Sequence, residues 1–183
     1  MGRNKALLRV AGEPLWRRQV RLLHEAGAAP VLVVQAPGQR ALRRDVLRDT
    51  VRDAGPLAGL HAALTACPAP LLAVVAVDLP ALDAPWLARL AALARPGRGV
   101  VLKTSRGYEP LAALYPREAL PEITTRLARR DLSLQACVAA LVRRRLLRVL
   151  RATPTDQTHL ANWNTPADRR LVPPPRIELG SHV

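Results

Sequence analysis

Pro70-Leu71-Leu72-Ala73-Val74-Val75-Ala76-Val77-Asp78-Leu79-Pro80 decides the fold. Seven consecutive apolar residues from Leu71 to Val77, without polar alternation, predict a strand covered on both faces, the kind found in parallel sheets. The run is far too short to cross a bilayer. Pro80 ends the strand, and Asp78 directly after it falls at the carboxyl end, where open α/β sheets place their ligand crevice.

Strand and helix patterns alternate to either side. Pro14 to Ala26 sets Leu15, Val20, Leu22 and Leu23 among arginines, a helix ending at Gly27, and Val31 to Val34 reads as a buried strand. Gln39 to Arg48 reads as a basic amphipathic helix, Thr50 to Arg52 as a short strand, and Leu57 to Ala66 as helix. After Pro85 come a helix to about Ala94, a strand from Gly99 to Lys103, a Ser105-Arg106-Gly107 turn and a strand from Leu111 to Tyr115. The short connection makes that last strand a candidate for antiparallel pairing. Helices over Arg117–Arg130 and Leu132–Leu141 and a basic strand at Arg145–Leu150 come next, then a polar, turn-rich stretch from Thr153 to Pro166. The pattern is that of an α/β domain over residues 1–171, with a Pro-rich tail at 172–183 lacking any periodicity.

A chain of 183 residues can bury a core without disulfides, and Cys67 and Cys137, in apolar surroundings without metal-ligand spacing, read as buried thiols suited to a reducing cytoplasm. The net charge of +14 points to nucleic acid as a partner class, but the arginines are scattered over helix faces, as in Arg17, Arg18 and Arg21, and read as solvated surface. Three tryptophans, two tyrosines and no phenylalanine leave few platforms for stacking bases, so no nucleic-acid partner is expected. No segment reads as a membrane anchor.

Four motifs carry the chemistry: Met1-Gly2-Arg3-Asn4-Lys5-Ala6, Asp53-Ala54-Gly55-Pro56-Leu57-Ala58-Gly59, Val77-Asp78-Leu79-Pro80 and Asn162-Trp163-Asn164-Thr165-Pro166. In this order, and with Gly12-Glu13-Pro14-Leu15-Trp16, the chain resembles the molybdenum cofactor guanylyltransferases. The resemblance implies a three-layer αβα, Rossmann-like fold of the nucleotide-diphospho-sugar transferase type with a mostly parallel sheet. It also implies a first strand and a Leu-Ala-Gly-Gly phosphate loop ahead of the Met-Gly step. The expectation is therefore a sheet short of its first, central strand, a start assigned at an internal methionine and a chain of low stability.

The expected activity is transfer of GMP from GTP to molybdopterin, with Mg²⁺ as cofactor and pyrophosphate as leaving group. Lys5, one of only two lysines with Lys103, resembles the family's triphosphate-binding lysine, and a point charge on a flexible stem can follow separating phosphates. Asp78 matches the metal-binding aspartate, a hard carboxylate suited to Mg²⁺; the competing reading is a cap for the helix near Ala84. Asp53, Gly55, Pro56, Leu57 and Gly59 match the loop that lines the guanosine side, with glycines that allow close backbone approach; a plain strand-to-helix turn would use the same glycines and proline. Asn162 and Asn164 match a ligand-binding pair and equally fit a turn ahead of a Thr165 cap, while Pro110 falls where the family faces the pterin. Val34 or Gln35 stands where the family often has a nucleotide-contacting asparagine.

Expected partners are GTP, molybdopterin and the molybdoenzyme apoproteins or chaperones that receive the product. Cytidylyl transfer to the same cofactor, nucleotidyl transfer to another phosphate, and an inactive basic binding protein are the alternatives.

Overall fold

The alternation of apolar runs and amphipathic stretches becomes a mixed sheet faced by helices in the computed structural model, which describes residues 5–10, 12–36, 42, 46–48 and 54–161. A 3-10 turn at Lys5–Leu7 leads to a small antiparallel pair, β1 (Arg9–Val10) and β2 (Glu13–Pro14). α1 (Leu15–Glu25) begins at once. Its end is a Schellman motif: Gly27 takes φ +84°, and the amides of Gly27 and Ala28 donate to the carbonyls of His24 and Leu23 at 2.9 Å each. β3 (Val34–Gln35) pairs in parallel with β4 (Leu47–Arg48). Then come α2 (Gly55–Ala66), β5 (Leu71–Val75), α3 (Ala84–Ala91), β6 (Gly99–Thr104), β7 (Gly107–Tyr108) and β8 (Ala112–Pro116). α4 (Leu120–Ala128), α5 (Leu134–Arg143), β9 (Leu147–Arg151) and α6 (Pro154–His159) complete the described chain.

The main sheet runs β5-β8-β6, and β6 also pairs with β7 and β9. β5 and β6 both oppose β8, and β9 lies parallel to β6, so β5, β6 and β9 point one way and β7 and β8 the other. This corrects the expectation of mostly parallel pairing. Residues 105–111 are too few for the crossover helix a parallel return needs, so the chain leaving β6 folds back and β8 enters antiparallel between β5 and β6.

Alternation along β8 then builds two cores. Ala113 and Tyr115 pack with Leu57 and Leu64 of α2, Ile123 of α4 and Val138 and Leu141 of α5, whereas Ala112 and Leu114 pack with Leu22 of α1, Leu87 and Leu90 of α3 and Leu160. β6 divides likewise, Val101 to the first core and Val100 and Leu102 to the second. Helices therefore cover both faces of the sheet in three layers. Cys67 and Cys137 are buried free thiols, as expected, and burial pushes the Cys137 thiol up to about 11. Among the described residues no helix is long and apolar enough to cross a membrane.

Several boundaries differ from expectation. The Val31 strand narrows to Val34–Gln35, and Leu47–Arg48, expected at the end of a helix, is a strand. Residues 39–41 and 43–45 of that expected helix, the Thr50–Arg52 strand and the 172–183 tail lie outside the described residues. The polar stretch after Thr153 contains α6, started by a capping box in which Thr153 Oγ1 accepts from the Asp156 amide at 3.2 Å and Asp156 Oδ2 accepts from the Thr153 amide at 2.9 Å.

β5 is apolar throughout yet only half-buried. The Arg117 amide donates to the Pro70 carbonyl at 3.0 Å and the Ala76 amide to the Leu111 carbonyl at 2.8 Å. By strict alternation the backbone groups of Leu72 and Val74 also face β8, and those of Leu71, Ala73 and Val75 turn the other way. There an apolar cavity of about 720 Å³ separates β5 from β3, floored by Leu23 and Leu87 on one face and Gly59, Leu60 and Ala63 of α2 on the other. Among the described residues no strand occupies this space. Hydrogen exchange should reveal the asymmetry: the amides of Leu71, Ala73 and Val75 are expected to exchange far faster than those of Leu72 and Val74, and equal protection along β5 would contradict it.

Candidate nucleotide site

The apolar run of β5 ends where the chain turns at Val77–Asp78, leaving the Asp78 carboxylate half-buried at the strand's carboxyl end and Leu79 and Pro80 buried behind it. This turn is tied down along its length. Besides the Ala76 amide, the carbonyls of Ala76 and Leu79 accept from Gln19 Nε2 at 3.3 and 2.8 Å, and those of Pro80 and Leu82 accept from Arg18 Nε and Nη2 at 3.1 and 3.2 Å. The helix cap is a different aspartate: Asp83 Oδ1 accepts from the Trp86 amide at 2.8 Å and starts α3, so the capping role competing for Asp78 is filled elsewhere.

Pro110 belongs to the same neighbourhood. Leu111 bonds Ala76, and the buried Tyr115 hydroxyl, whose pKa burial pushes up, donates to the Pro110 carbonyl at 2.8 Å. Lys5 opens the 3-10 turn that packs on α1, and the Leu15 amide donating to the Leu8 carbonyl at 2.8 Å fastens that segment to the helix start. The loop from Gly55 lies around the cavity instead. Gly55 takes φ +59° at the first turn of α2, and Gly55, Pro56 and Gly59 line the cavity with Gln35. The Leu57 side chain is fully buried in the core, which leaves its backbone as the part able to face a ligand. Gln35 is buried and its Oε1 accepts from the Leu42 amide at 2.9 Å. Asp53, Asn162 and Asn164 lie outside the described residues, but Leu160, just before the asparagines, shares an apolar cluster with Leu79, next to Asp78.

A second polar group holds α6 to α3. Asp156, almost fully buried, accepts from Trp86 Nε1 at 2.9 Å, from the Thr153 hydroxyl at 2.8 Å and from Arg89, while His159 Nε2 lies 3.2 Å from Asp83 Oδ2. Burial alone would raise the Asp156 carboxyl, but the Thr153 bonds, Trp86 and the charge of Arg89 outweigh it and hold its pKa below the ordinary carboxylate value.

Among the described residues no group of three or more His, Cys, Asp or Glu is placed to hold a metal. The Asp78 carboxylate fits Mg²⁺ arriving with a nucleotide, which takes one or two protein carboxylates and completes its shell with phosphates and water. Arg18, Gln19 and Asp156 were not legible as site residues. Gln19 left a signal, a polar residue in the buried stripe Leu15, Gln19, Leu22 of α1, and Thr153-Pro154-Thr155-Asp156 carries the capping-box spacing.

Both the α6 anchor and the Gly55 turn can be tested by stability. A lowered folded-state pKa makes Asp156 stabilising above the unfolded value of about 3.9 and lost as pH falls through the folded one. Asp156→Asn should therefore lower the melting temperature at pH 7, and its deficit against the parent should shrink as the pH is taken below about 4. A deficit independent of pH would exclude the ionised carboxylate as the cause. Gly55→Ala should cost about 1–2 kcal/mol in denaturant unfolding because φ is positive there.

Comparison with known proteins agrees with this arrangement. Residues 1–152 match the family described as the MobA-like NTP transferase domain. A protein of Opitutus terrae, described as a probable molybdenum cofactor guanylyltransferase, is 48% identical over 174 residues, covering 92% of this chain and 86% of its own length. Among solved structures, molybdopterin-guanine dinucleotide biosynthesis protein A from Archaeoglobus fulgidus shares the fold at TM-score 0.64, 20% identity, 92% of this chain and 88% of that one. A nucleotidyl transferase from Methanothermobacter does so at TM-score 0.70, 20% identity, 92% of this chain and 83% of that one. With the family matched over residues 1–152 and 48% identity to a relative across 92% of this chain, the chain belongs to the MobA-like NTP transferase family and is a nucleotidyltransferase.

Proposed function

We propose that the chain transfers GMP from GTP to the terminal phosphate of molybdopterin. An oxygen of that phosphate bonds to the α-phosphorus, the bond from the α-phosphorus to the bridging oxygen breaks, and pyrophosphate leaves. The observation that carries the reading is Asp78, presented at the carboxyl end of β5 by a turn with pinned carbonyls, in a chain 48% identical to a relative named for this reaction.

In this reading Asp78 binds the Mg²⁺ that accompanies GTP; the ion supplies charge neutralisation for the phosphates. Lys5 reaches the triphosphate, and Asp53 with the backbone of Gly55 to Gly59 receives the guanosine side. Asn162 and Asn164 bind the substrate, and Pro110, tied to Ala76 through Leu111, faces the pterin. The product passes to molybdoenzyme apoproteins or their chaperones.

The test is pyrophosphate release and dinucleotide formation from molybdopterin with GTP or with CTP, in Mg²⁺. Turnover with GTP, and a loss of at least about a hundredfold in Asp78→Asn, is expected, since preorganised charge at a developing leaving group is commonly worth that much. Turnover with CTP alone would reassign the base. Absence of nucleotide binding alongside salt-sensitive RNA binding would replace the enzyme by a basic binding protein.

A further inference from the structure

We propose that Gln19, assisted by Arg18, is a positioning residue for Asp78; the inference rests on the metal-binding role given to Asp78 above. Position 19 lies on the buried stripe of α1 between Leu15 and Leu22, where an apolar residue would satisfy helix packing. An amide there is costly unless its hydrogen bonds are made. Gln19 is only 5% exposed, and its Nε2 reaches two carbonyls of one loop, Ala76 at 3.3 Å and Leu79 at 2.8 Å. The amide cannot be reversed, because Oε1 would then face two acceptors.

These two carbonyls bracket the Val77–Asp78 turn. A single nitrogen fixing both sides leaves the turn little freedom to hinge, and Arg18, the adjacent residue on the helix, repeats the device at Pro80 and Leu82. Opposite them the Ala76 amide is held by Leu111. Gln19 Oε1 is buried without a hydrogen-bond partner among the described residues, so half the amide's capacity is forgone while the loop-facing half is fully used. A residue selected for core stability alone would not make that exchange. Positioning explains it, since a displacement near 1 Å at a reacting group can cost about a hundredfold in rate.

The test is Mn²⁺ binding, read by electron paramagnetic resonance in the presence of an α,β-methylene GTP analogue, with melting temperatures recorded alongside. Gln19→Leu keeps the volume and removes both bonds; its half-saturating Mn²⁺ concentration should rise about tenfold, and excess Mn²⁺ should restore much of kcat with KM for GTP little changed. Leu127→Ala, a core truncation away from the loop, should lower the melting temperature without moving Mn²⁺ affinity. If Gln19→Leu loses stability but binds Mn²⁺ like the parent while Asp78→Ala does not, the positioning role is overturned and the metal role stands. If Asp78→Ala also binds Mn²⁺ normally, both fall. Should Gln19→Leu fail to fold, Arg18→Gln, at a half-exposed site, takes its place: a rise of about threefold supports the clamp, and a parental value overturns it.

Discussion

The antiparallel insertion of β8 between β5 and β6 is the constraint on which the molecule depends. All five of its residues are buried, and their alternation supplies one wall to each core, so the helices on the two faces are joined through this strand. β5 has no other strand partner among the described residues and owes its place to the continuous register with β8 from Leu71↔Pro116 to Val75↔Ala112. Because β5 carries Asp78 and β8 is preceded by Pro110, the pairing that builds the cores also sets the two turns side by side. Site and fold share one ladder of hydrogen bonds.

The polar groups divide the remaining work between the helices. α1 holds the Asp78 turn through Arg18 and Gln19, and α3 begins directly beyond it at Asp83. α6 docks on α3 through Asp156, Trp86 and Arg89, which delivers Leu160 to the cluster containing Leu79. Each contact is a buried or half-buried side chain meeting a partner far away in sequence, the arrangement that makes local rigidity depend on tertiary structure rather than on the loop's own composition.

Periodicity and punctuation made the local features legible in the sequence. The run from Leu71 to Val77 announced a strand, Asp78 its carboxyl end and Gly27 a helix stop, because each of these is decided within a few residues. The direction of β8 was open until its short connection was weighed. α6 escaped because Pro154 to His159 shows no apolar stripe, and only the Thr153 and Asp156 spacing marks it. Gln19 escaped as a functional residue because its meaning lies in carbonyls 57 and 60 positions away, which no local pattern encodes. Of the candidate site, Asp78, Pro110 and the Gly55 to Gly59 loop could be named from motifs. Their being placed around two sides of β5, the turns at its end and the loop across its open edge, required the fold.

The same geometry explains why the loop needs so many anchors. A strand paired on one edge and facing an apolar cavity on the other is poorly held against twisting about its own axis, and any such motion is passed to the turn at its end. The four carbonyls bonded by Arg18 and Gln19 transfer that restraint to α1, which packs on α3 and is anchored by the fully buried Leu15. The Asp78 turn is thus secured from the helix layer as well as through its strand, whose continuation at Ala76 bonds Leu111.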